Sequence, residues 1–458
     1  METVITGTLH AAENLLSGAV AFVKGIAHTT IPLNANLAHI TDVPLPRSHH
    51  SLSVVKGRAY IFGGESSPGK LVDNAMNIVI LPSSGVLTSD YTSIPARPTL
   101  SGGKVPPSRK GHIAVVIGDD IYIFGGESKE SDNGRLWVYN TVTNTWTYLD
   151  ASPGTAFPSN RTGHTAASSE LPGPKDEVMY QEKAPQRPAD PAKAVPEPAD
   201  ENSWGTMFVV GGRSTETGDL TNDAWAFDVL NRTWSALPTP PGQPREGASL
   251  ALVNQRLYRV GGKGAETLAS GGMEYLDLSL YFQHGEDGTT PLASGWNWEE
   301  VSYVEGEAPP PQSWPGFTIA PAGQGPYSLL AISGEAPPQS WLGLSVAPTG
   351  EFTYLEDIWT FQLSSEKTTA AAIKDTTKTS VKKETHEGRW SQGQYRYLDA
   401  RGDEEKIIVG KPNRGLGLRG HFAIAKGTEV DGAVVVVWGG VGRDGKVLSD
   451  GWLISVER

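Results

Sequence analysis

The feature that most constrains this chain is an apolar run closed by glycine, which recurs along the sequence. The run reads YIFGG, IYIFGG, MFVVGG, LYRVGG and VVVVWGG, and a weaker copy, LLAISGE, has a single glycine, Gly334. The glycine pairs are Gly63 and Gly64, Gly125 and Gly126, Gly211 and Gly212, Gly261 and Gly262, and Gly439 and Gly440. Short apolar runs that end in glycine predict strands followed by sharp turns. Their repetition predicts one repeat architecture rather than several unrelated domains.

The segments around each run recur as well. A basic or polar residue, often followed by Gly-His, precedes an apolar strand, as in SRKGHIAVV at 108–116 and NRTGHTAAS at 160–168. Downstream, a polar turn precedes a strand that carries an aromatic residue, and two of these strands continue through a turn to a second tryptophan. The repeated tryptophans are Trp137, Trp146, Trp225, Trp234, Trp359 and Trp452. Each unit therefore predicts four short strands.

These units resemble kelch repeats, in which each unit of roughly 50 residues forms one propeller blade. The glycine pair, the later aromatic residue and the final tryptophan stand in kelch order in the second and third units, and the resemblance covers nearly all of 40–458. It implies an all-β fold, a six-bladed kelch-type β-propeller. Two near copies, at 306–321 and 334–348, leave a degenerate seventh blade as an alternative. Glycine would allow close packing within each blade, and tryptophan would fill the space between twisted sheets.

The two ends of the sequence predict how the ring closes. The final unit stops after its third strand, and the segment NANLAHITDV at 34–43 can supply the missing one. Pairing the two would remove the free edges of the sheet. We therefore expect 34–458 to form a single propeller, with flexible insertions at 171–202 and 364–388. Residues 1–33 are expected to form a short helix or a covering arm.

Composition excludes several classes of function. The chain has 458 residues, no cysteine and a formal net charge of −13. The absence of cysteine removes disulfide frameworks, thiolate metal sites and cysteine nucleophiles. The negative charge disfavours nucleic acid, and no apolar run approaches the roughly 20 residues that span a bilayer, so we expect no membrane partner. We expect a cytoplasmic location, although the sequence does not exclude secretion.

An arginine occupies the same place in five of the six units. These residues are Arg47, Arg109, Arg161, Arg245 and Arg419, while the fifth unit offers Gln312 and Trp314. The kelch resemblance implies that such arginines can line the partner-binding face, where guanidinium groups would grip an acidic segment. The alternative is internal pairing with Glu65, Glu127 or Glu335, which follow the glycines. The repeated histidines His50, His112, His164 and His421 favour contacts between blades over a metal cluster.

The sequence favours a protein-interaction scaffold that needs no cofactor over an enzyme. Galactose oxidase shares the propeller architecture, but its cysteine–tyrosine cofactor is excluded here. The alternative is a small-molecule-acting propeller with an axial pocket, similar to the plant specifier proteins that bind iron. The Glu-x-x-x-Asp-x-x-x-His spacing of those proteins is absent, and Glu216 and Asp219 are the nearest weak candidates for a metal site. Neither the identity of a partner nor an oligomeric state follows from these patterns.

Overall fold

Six sheets, each built on four antiparallel strands, make up most of the computed structural model of this chain, and short two-residue or three-residue strands extend or accompany some of them. It describes residues 34–40, 45–81, 91–130, 132, 134–173, 204–269, 272–284, 296–303, 307–320, 328–336, 353–363, 388–397, 416–427 and 434–457. The predicted N-terminal segment 1–33 lies outside these ranges, as do most of the predicted insertions at 171–202 and 364–388. No helix in the described part is long and apolar enough to cross a membrane.

Each sheet corresponds to one repeat unit, and its strands pair in chain order. The strands of blade 1 are Ser51–Val55, Arg58–Phe62, Met76–Ile80 and Tyr91–Ile94. Those of blade 2 are Ile113–Ile117, Asp120–Phe124, Leu136–Asn140 and Thr145–Leu149. Those of blade 3 are Thr165–Ser169, Thr206–Ser214, Leu220–Asp228 and Thr233–Leu237. Their burial alternates little in the second strands, because both faces of each sheet pack against neighbouring blades.

The remaining blades follow the same order. The strands of blade 4 are Glu246–Val253, Arg256–Lys263, Met273–Asp277 and Glu299–Val301, with a short helix, Ser279–His284, before the fourth strand. Those of blade 5 are Gly316–Ala320, Ser328–Ile332, Ile358–Gln362 and Trp390–Gln392. Two-residue strands at Arg109–Lys110, Arg161–Thr162 and Arg419–Gly420 precede the first strands of blades 2, 3 and 6.

Blade 6 is completed by the N-terminal strand, as the sequence predicts. Its strands are Ala423–Lys426, Val435–Trp438, Gly451–Glu457 and Asn34–Ile40. Asn34–Ile40 pairs antiparallel with Gly451–Glu457 along its whole length. On its other edge it pairs in parallel with Gln394–Tyr397, a fifth strand that arrives from blade 5. The predicted six-bladed propeller closed by an N-terminal strand is therefore confirmed.

The first strands form the inner wall of the ring. Each contacts the first strand of the next blade, and the cycle closes from blade 6 to blade 1. Apolar clusters fill the spaces between adjacent blades, and one joins Ile61 and Val79 of blade 1 to Val436 and Trp438 of blade 6. Two similar segments, at 306–321 and 334–348, were the basis of the alternative with a seventh blade. The segment at 306–321 leads into blade 5. The copy at 334–348 begins between the second and third strands of the same blade and lies mostly outside the described residues.

The glycine pairs join neighbouring blades. The amide of the second glycine donates a hydrogen bond to the carbonyl of the residue that begins the next repeat. Examples are Gly64 to Arg109 at 2.8 Å, Gly126 to Arg161 at 2.8 Å and Gly440 to Arg47 at 2.8 Å. At Gly126 the backbone has φ +88, and an added Cβ would lie 2.7 Å from the carbonyl oxygen of Lys110. Only glycine combines this conformation with such a close approach.

Replacing Gly126 with alanine is expected to lower the free energy of unfolding by about 2–4 kcal/mol, from backbone strain and overpacking together. Gly69 is the matched control, because it has φ +76 and no atom within 4 Å of an added Cβ. Gly69→Ala should cost only about 1 kcal/mol. Denaturant unfolding of the two variants measures the difference, and equal losses would contradict the assigned role of the glycine pair.

Candidate functional site

The repeated arginines lie where the first strands begin, on the face of the propeller at which the second strands end. We call this the arginine face. Three of these side chains are almost completely buried: Arg109 and Arg161 are 1% exposed and Arg419 is 2% exposed. Burying a guanidinium group without a partner is costly, so the contacts of each one decide whether it is available to a ligand.

Arg109, Arg161 and Arg419 each contact a carboxylate of their own blade. Arg109 pairs with Asp132, and Arg161 makes a forked contact with Asp223 at 2.6 and 2.8 Å. Arg419 lies 2.8 Å from Asp450. Asp132 and Asp450 stand just before the third strand of their blades, and Asp223 lies near the beginning of the third strand of blade 3. The arginine side chains therefore run outward from the inner strand, across the end of the second strand, and are already occupied.

The same aspartates also hold the repeated tryptophans. Trp137 donates its indole N–H to Asp132 at 2.8 Å, Trp225 to Asp223 at 2.7 Å, and Trp452 to Asp450 at 2.6 Å. Burial acts to raise the pKa of Asp223, but the hydrogen bond and charge of Arg161 outweigh it and leave that pKa below its usual value. The Arg–Asp–Trp unit thus fixes the start of the third strand with a charged carboxylate.

Blade 5 has glutamine in place of this arginine. Gln312 is 2% exposed, and its side-chain oxygen has no hydrogen-bond partner in the described structure. Trp359 still donates to Asp357 at 2.6 Å, as in the other blades. Burial raises the pKa of Asp357, against the hydrogen bond from Trp359, because no guanidinium offsets it in the described part of this blade.

Blade 1 and blade 4 differ from this pattern. No carboxylate among the described residues lies within 4 Å of the Arg47 guanidinium, which donates to the carbonyl of Pro46 at 2.9 Å. In blade 4 two arginines, Arg245 and Arg259, contact the same oxygen of Glu274. Arg259 is fully buried, and the Arg245 side chain is 12% exposed. This cluster therefore has more positive than negative charge.

The glutamates that follow the glycines do not make the predicted pairs with the repeated arginines in the described structure. Glu65 lies 2.9 Å from Lys110 of the next blade, and Glu127 lies 3.8 Å from the same lysine. Glu335 lies 2.8 Å from Nε2 of His421. Glu65 thus contacts the residue after the arginine of the next repeat, Glu335 contacts the mouth histidine of the next repeat, and the ladder register places Glu127 opposite Lys110 of its own blade. The carboxylates that do meet the arginines are Asp132, Asp223, Glu274 and Asp450.

A ring of six equivalent residues, two positions after each arginine or Gln312, surrounds the central channel. We call this ring the mouth. Its backbone groups are bonded from blade to blade, with Gly111 donating to His49 at 2.9 Å, Gly247 to Gly163 at 2.8 Å and His49 to His421 at 3.0 Å. The mouth consists of His49, Gly111, Gly163, Gly247, Trp314 and His421. Of the seven binding-face candidates, Trp314 is the one that lies in the mouth itself.

The buried histidines lie between blades. His112 contacts Ser51 of blade 1 at 2.9 Å through Nε2, and its ring meets Phe62 edge-on at 5.4 Å. His164 meets Phe124 of blade 2 in the same way at 5.5 Å. Burial lowers the pKa of His50 to about 3 and that of His164 to about 3. These rings are therefore neutral at pH 7.

Metal-ligand groups do not converge in the part of the chain that the structure describes, where no three His, Asp or Glu side chains come together. Glu216 and Asp219 lie in the turn between the second and third strands of blade 3. Their assignment as weak candidates for a metal site stays a prediction.

Two family descriptions match this chain. The "KLHDC2/KLHL20/DRC7 Kelch-repeats domain" matches residues 33–172, and the "Kelch motif" matches 205–241. The chain is a kelch-repeat β-propeller. The kelch repeats place the buried Arg–Asp–Trp units and the glycine pairs at equivalent points of successive blades, which explains why one geometry recurs around the ring.

Individual relatives share parts of the kelch-repeat chain. Kelch domain-containing protein 1 of Mus musculus is 27% identical over 278 residues, which is 58% of this chain and 59% of the relative. An N-(sulfonatooxy)prop-2-enimidothioate sulfolyase of Thlaspi arvense is 32% identical over 130 residues, 28% of this chain and 34% of the relative. The chain therefore covers between about a third and three-fifths of these proteins. A solved structure titled "Structure of YjhT" has a TM-score of 0.52 at 14% identity, covers 92% of this chain and 99% of that one, and supports the fold alone.

Proposed function

We propose that this kelch-repeat propeller is a protein-interaction module that binds an acidic segment of a partner on its arginine face. The observation that carries the proposal is the charge imbalance in blade 4. Arg245 and Arg259 share one oxygen of Glu274, whereas Arg109, Arg161 and Arg419 each have a carboxylate of their own. A second carboxylate would balance the blade 4 cluster, and a partner can supply it.

The contacts around the cluster support this position for a ligand. Arg259 is held by the carbonyl of Pro241 at 2.9 Å, so it cannot turn away from Glu274 without losing a hydrogen bond. Arg245 is the more accessible of the two, and its buried Nε atom has no hydrogen-bond partner in the described structure. Burial lowers the pKa of Arg245 to about 10, which reflects the cost of keeping this charge with a shared counter-ion. A partner carboxylate that approaches Arg245 would reduce that cost.

The test is the affinity for a hexaglutamate peptide, measured by calorimetry at low salt. Arg245→Gln leaves Arg259 and Glu274 as a balanced pair, so the variant should fold and lose about tenfold in affinity. Arg213→Gln is the matched control, because Arg213 lies on the same face in a one-to-one pair with Glu246 at 2.7 Å. The control should bind like the wild type, and the wild-type affinity should fall as salt rises.

Two results would contradict the proposal. One is the absence of binding to hexaglutamate at low salt; the other is equal binding by the wild type and Arg245→Gln. The same pair of variants extends the test to natural partners. Proteins retained from a cell extract by the wild type and by Arg213→Gln, and lost with Arg245→Gln, would be candidates for the acidic partner.

A further inference from the structure

The mouth combines two kinds of residue in one backbone conformation. All six positions have positive φ: 54° at His49, 63° at Gly111, 62° at Gly163, 65° at Gly247, 55° at Trp314 and 52° at His421. Glycine adopts this conformation readily, while histidine and above all tryptophan adopt it at a cost in free energy. Five of the six amides donate blade-to-blade hydrogen bonds that hold this conformation. Blades 5, 6 and 1 therefore carry aromatic side chains where glycine would fit without strain.

The three aromatic side chains lie together. The rings of His49 and His421 stack with centroids 3.9 Å apart, and the indole of Trp314 lies 5.0 Å from His421. Trp314 extends over the glycines of blades 3 and 4, since a Cβ added at Gly163 or Gly247 would meet its ring at 2.9 or 2.7 Å. The indole remains partly exposed. The result is an aromatic cluster across one half of the channel opening.

Carboxylates border this aromatic half. Glu335 lies 2.8 Å from Nε2 of His421, and its side chain is 12% exposed. Glu65 holds the equivalent position of blade 1 and lies 2.9 Å from Lys110 of blade 2. Burial, followed by the proximity of His421, lowers the pKa of His49 to about 2, so at neutral pH this ring adds no positive charge to the cluster. The basic side chains of blades 3 and 4, including Arg213, lie on the other half of the face.

We infer that the aromatic half of the mouth, formed by Trp314, His421 and His49 with Glu335 at its edge, binds a cationic side chain of a partner, a guanidinium or an ammonium group. Aromatic faces attract such cations, and a neighbouring carboxylate adds charge complementarity. The strained Trp314 is the residue on which the inference depends, because backbone strain is retained where a side chain is needed. The site is separate from the blade 4 arginines and opposite in charge preference, so it goes beyond the proposed function.

The probe is N-acetyl-arginine amide, titrated into protein labelled with carbon-13 at the histidine Cε1 positions. Binding should shift the resonances of His421 and His49, which are assigned by their loss in His421→Asn and His49→Asn. N-acetyl-citrulline amide has the same shape without the charge and should bind at least about tenfold more weakly. Tetramethylammonium chloride distinguishes a general cation site, which it would occupy, from one that requires the hydrogen bonds of a guanidinium group.

Trp314→Gly is the decisive variant, since glycine occupies the same backbone conformation in blades 2, 3 and 4. It should remain folded by circular dichroism and lose about tenfold or more in affinity for N-acetyl-arginine amide. Glu335→Gln should weaken binding several-fold, and Glu127→Gln, at the equivalent position of blade 2, should leave it unchanged. Equal binding of the arginine and citrulline probes, or unchanged binding by folded Trp314→Gly, would overturn the inference. Hexaglutamate binding by Trp314→Gly reports on the proposed function independently.

Discussion

Lowering the pH from 7 to 5 is expected to reduce the free energy of unfolding by several kcal/mol. Burial lowers the pKa of His50, His112 and His164, which lie between blades, below the ordinary value of 6.5, to about 3 for His50 and His164, and it lowers the pKa of His49 in the mouth to about 2. In the unfolded chain each histidine binds a proton as the pH falls through 6.5, while in the folded chain it does not. Protonation therefore favours the unfolded state, and stability falls from pH 6.5 downward until the folded pKa is reached.

The size of the effect follows from the number of protons. Each histidine contributes about 2 kcal/mol between pH 7 and pH 5, at about 1.4 kcal/mol for each pH unit below 6.5. Asp120 opposes them, because burial raises its pKa to about 6 and its protonation in the same interval stabilises the folded state by about 1 kcal/mol. The histidines together destabilise the folded state by more than Asp120 stabilises it, so the free energy of unfolding falls overall between pH 7 and pH 5.

Denaturant unfolding at a series of pH values measures the slope. His164→Gln removes one of the four histidine rings whose pKa is lowered, and the dependence on pH between 6.5 and 5 should become shallower by about a quarter. Lys70→Gln, an exposed change on the surface of blade 1, serves as the control and should leave the slope as it is. A wild-type stability that stays flat from pH 7 to pH 5 would show that these rings titrate normally in the folded protein.

Arg109→Met is expected to lower the free energy of unfolding by about 3–5 kcal/mol at pH 7, the range for breaking a buried ion pair. Arg109 and Asp132 are 1% and 8% exposed, and the arginine also donates to the carbonyl of Gly125 at 2.8 Å. Methionine fills much of the space but leaves the buried Asp132 carboxylate without its guanidinium partner and, among the described side chains, bonded to Trp137 alone. The loss arises from that uncompensated charge.

Two further variants separate charge from packing. Arg135→Met breaks the exposed pair with Asp150 in the same blade, where the carboxylate is 56% exposed, and should cost about 1 kcal/mol or less. Asp132→Asn in the Arg109→Met background removes the unpaired charge and keeps an acceptor for Trp137, so part of the stability should return. If the double variant is no more stable than Arg109→Met, packing rather than charge accounts for the loss.

The features that the sequence predicts correctly are those that one repeat shares with the next. The glycine pairs mark the end or the final residues of the second strand in five of the six blades, because the second glycine must meet the next repeat at hydrogen-bonding distance. The closing strand was predicted at 34–43 and is found at Asn34–Ile40, since the final unit lacks a fourth strand and an unpaired edge is completed by this segment. Fold class and blade number follow from such repetition.

The features that sequence reasoning missed depend on departures from the repeat. Asp132 lies 23 residues after its arginine and Asp223 lies 62 residues after its own, because the insertions between strands differ in length. Sequence spacing therefore gave no indication of these pairs. The aromatic cluster is assembled from three distant segments. The sequence does contain a signal for this cluster: two residues after the arginine position, three units have His49, Trp314 or His421 where the other three have glycine. An alignment of the six units against one another would have found it.

The pairing of Asn34–Ile40 with Gly451–Glu457 also determines when folding can finish during protein synthesis. The first of these strands leaves the ribosome before any of the six blades, and its partner follows only after blades 1 to 5 have been made. While blades 1 to 5 form, the early strand has no antiparallel neighbour, and its buried positions, such as Leu37 and Ile40, stay exposed to water. We expect the nascent chain to depend on chaperones over this interval and to become resistant to proteases in one late step, when blade 6 closes.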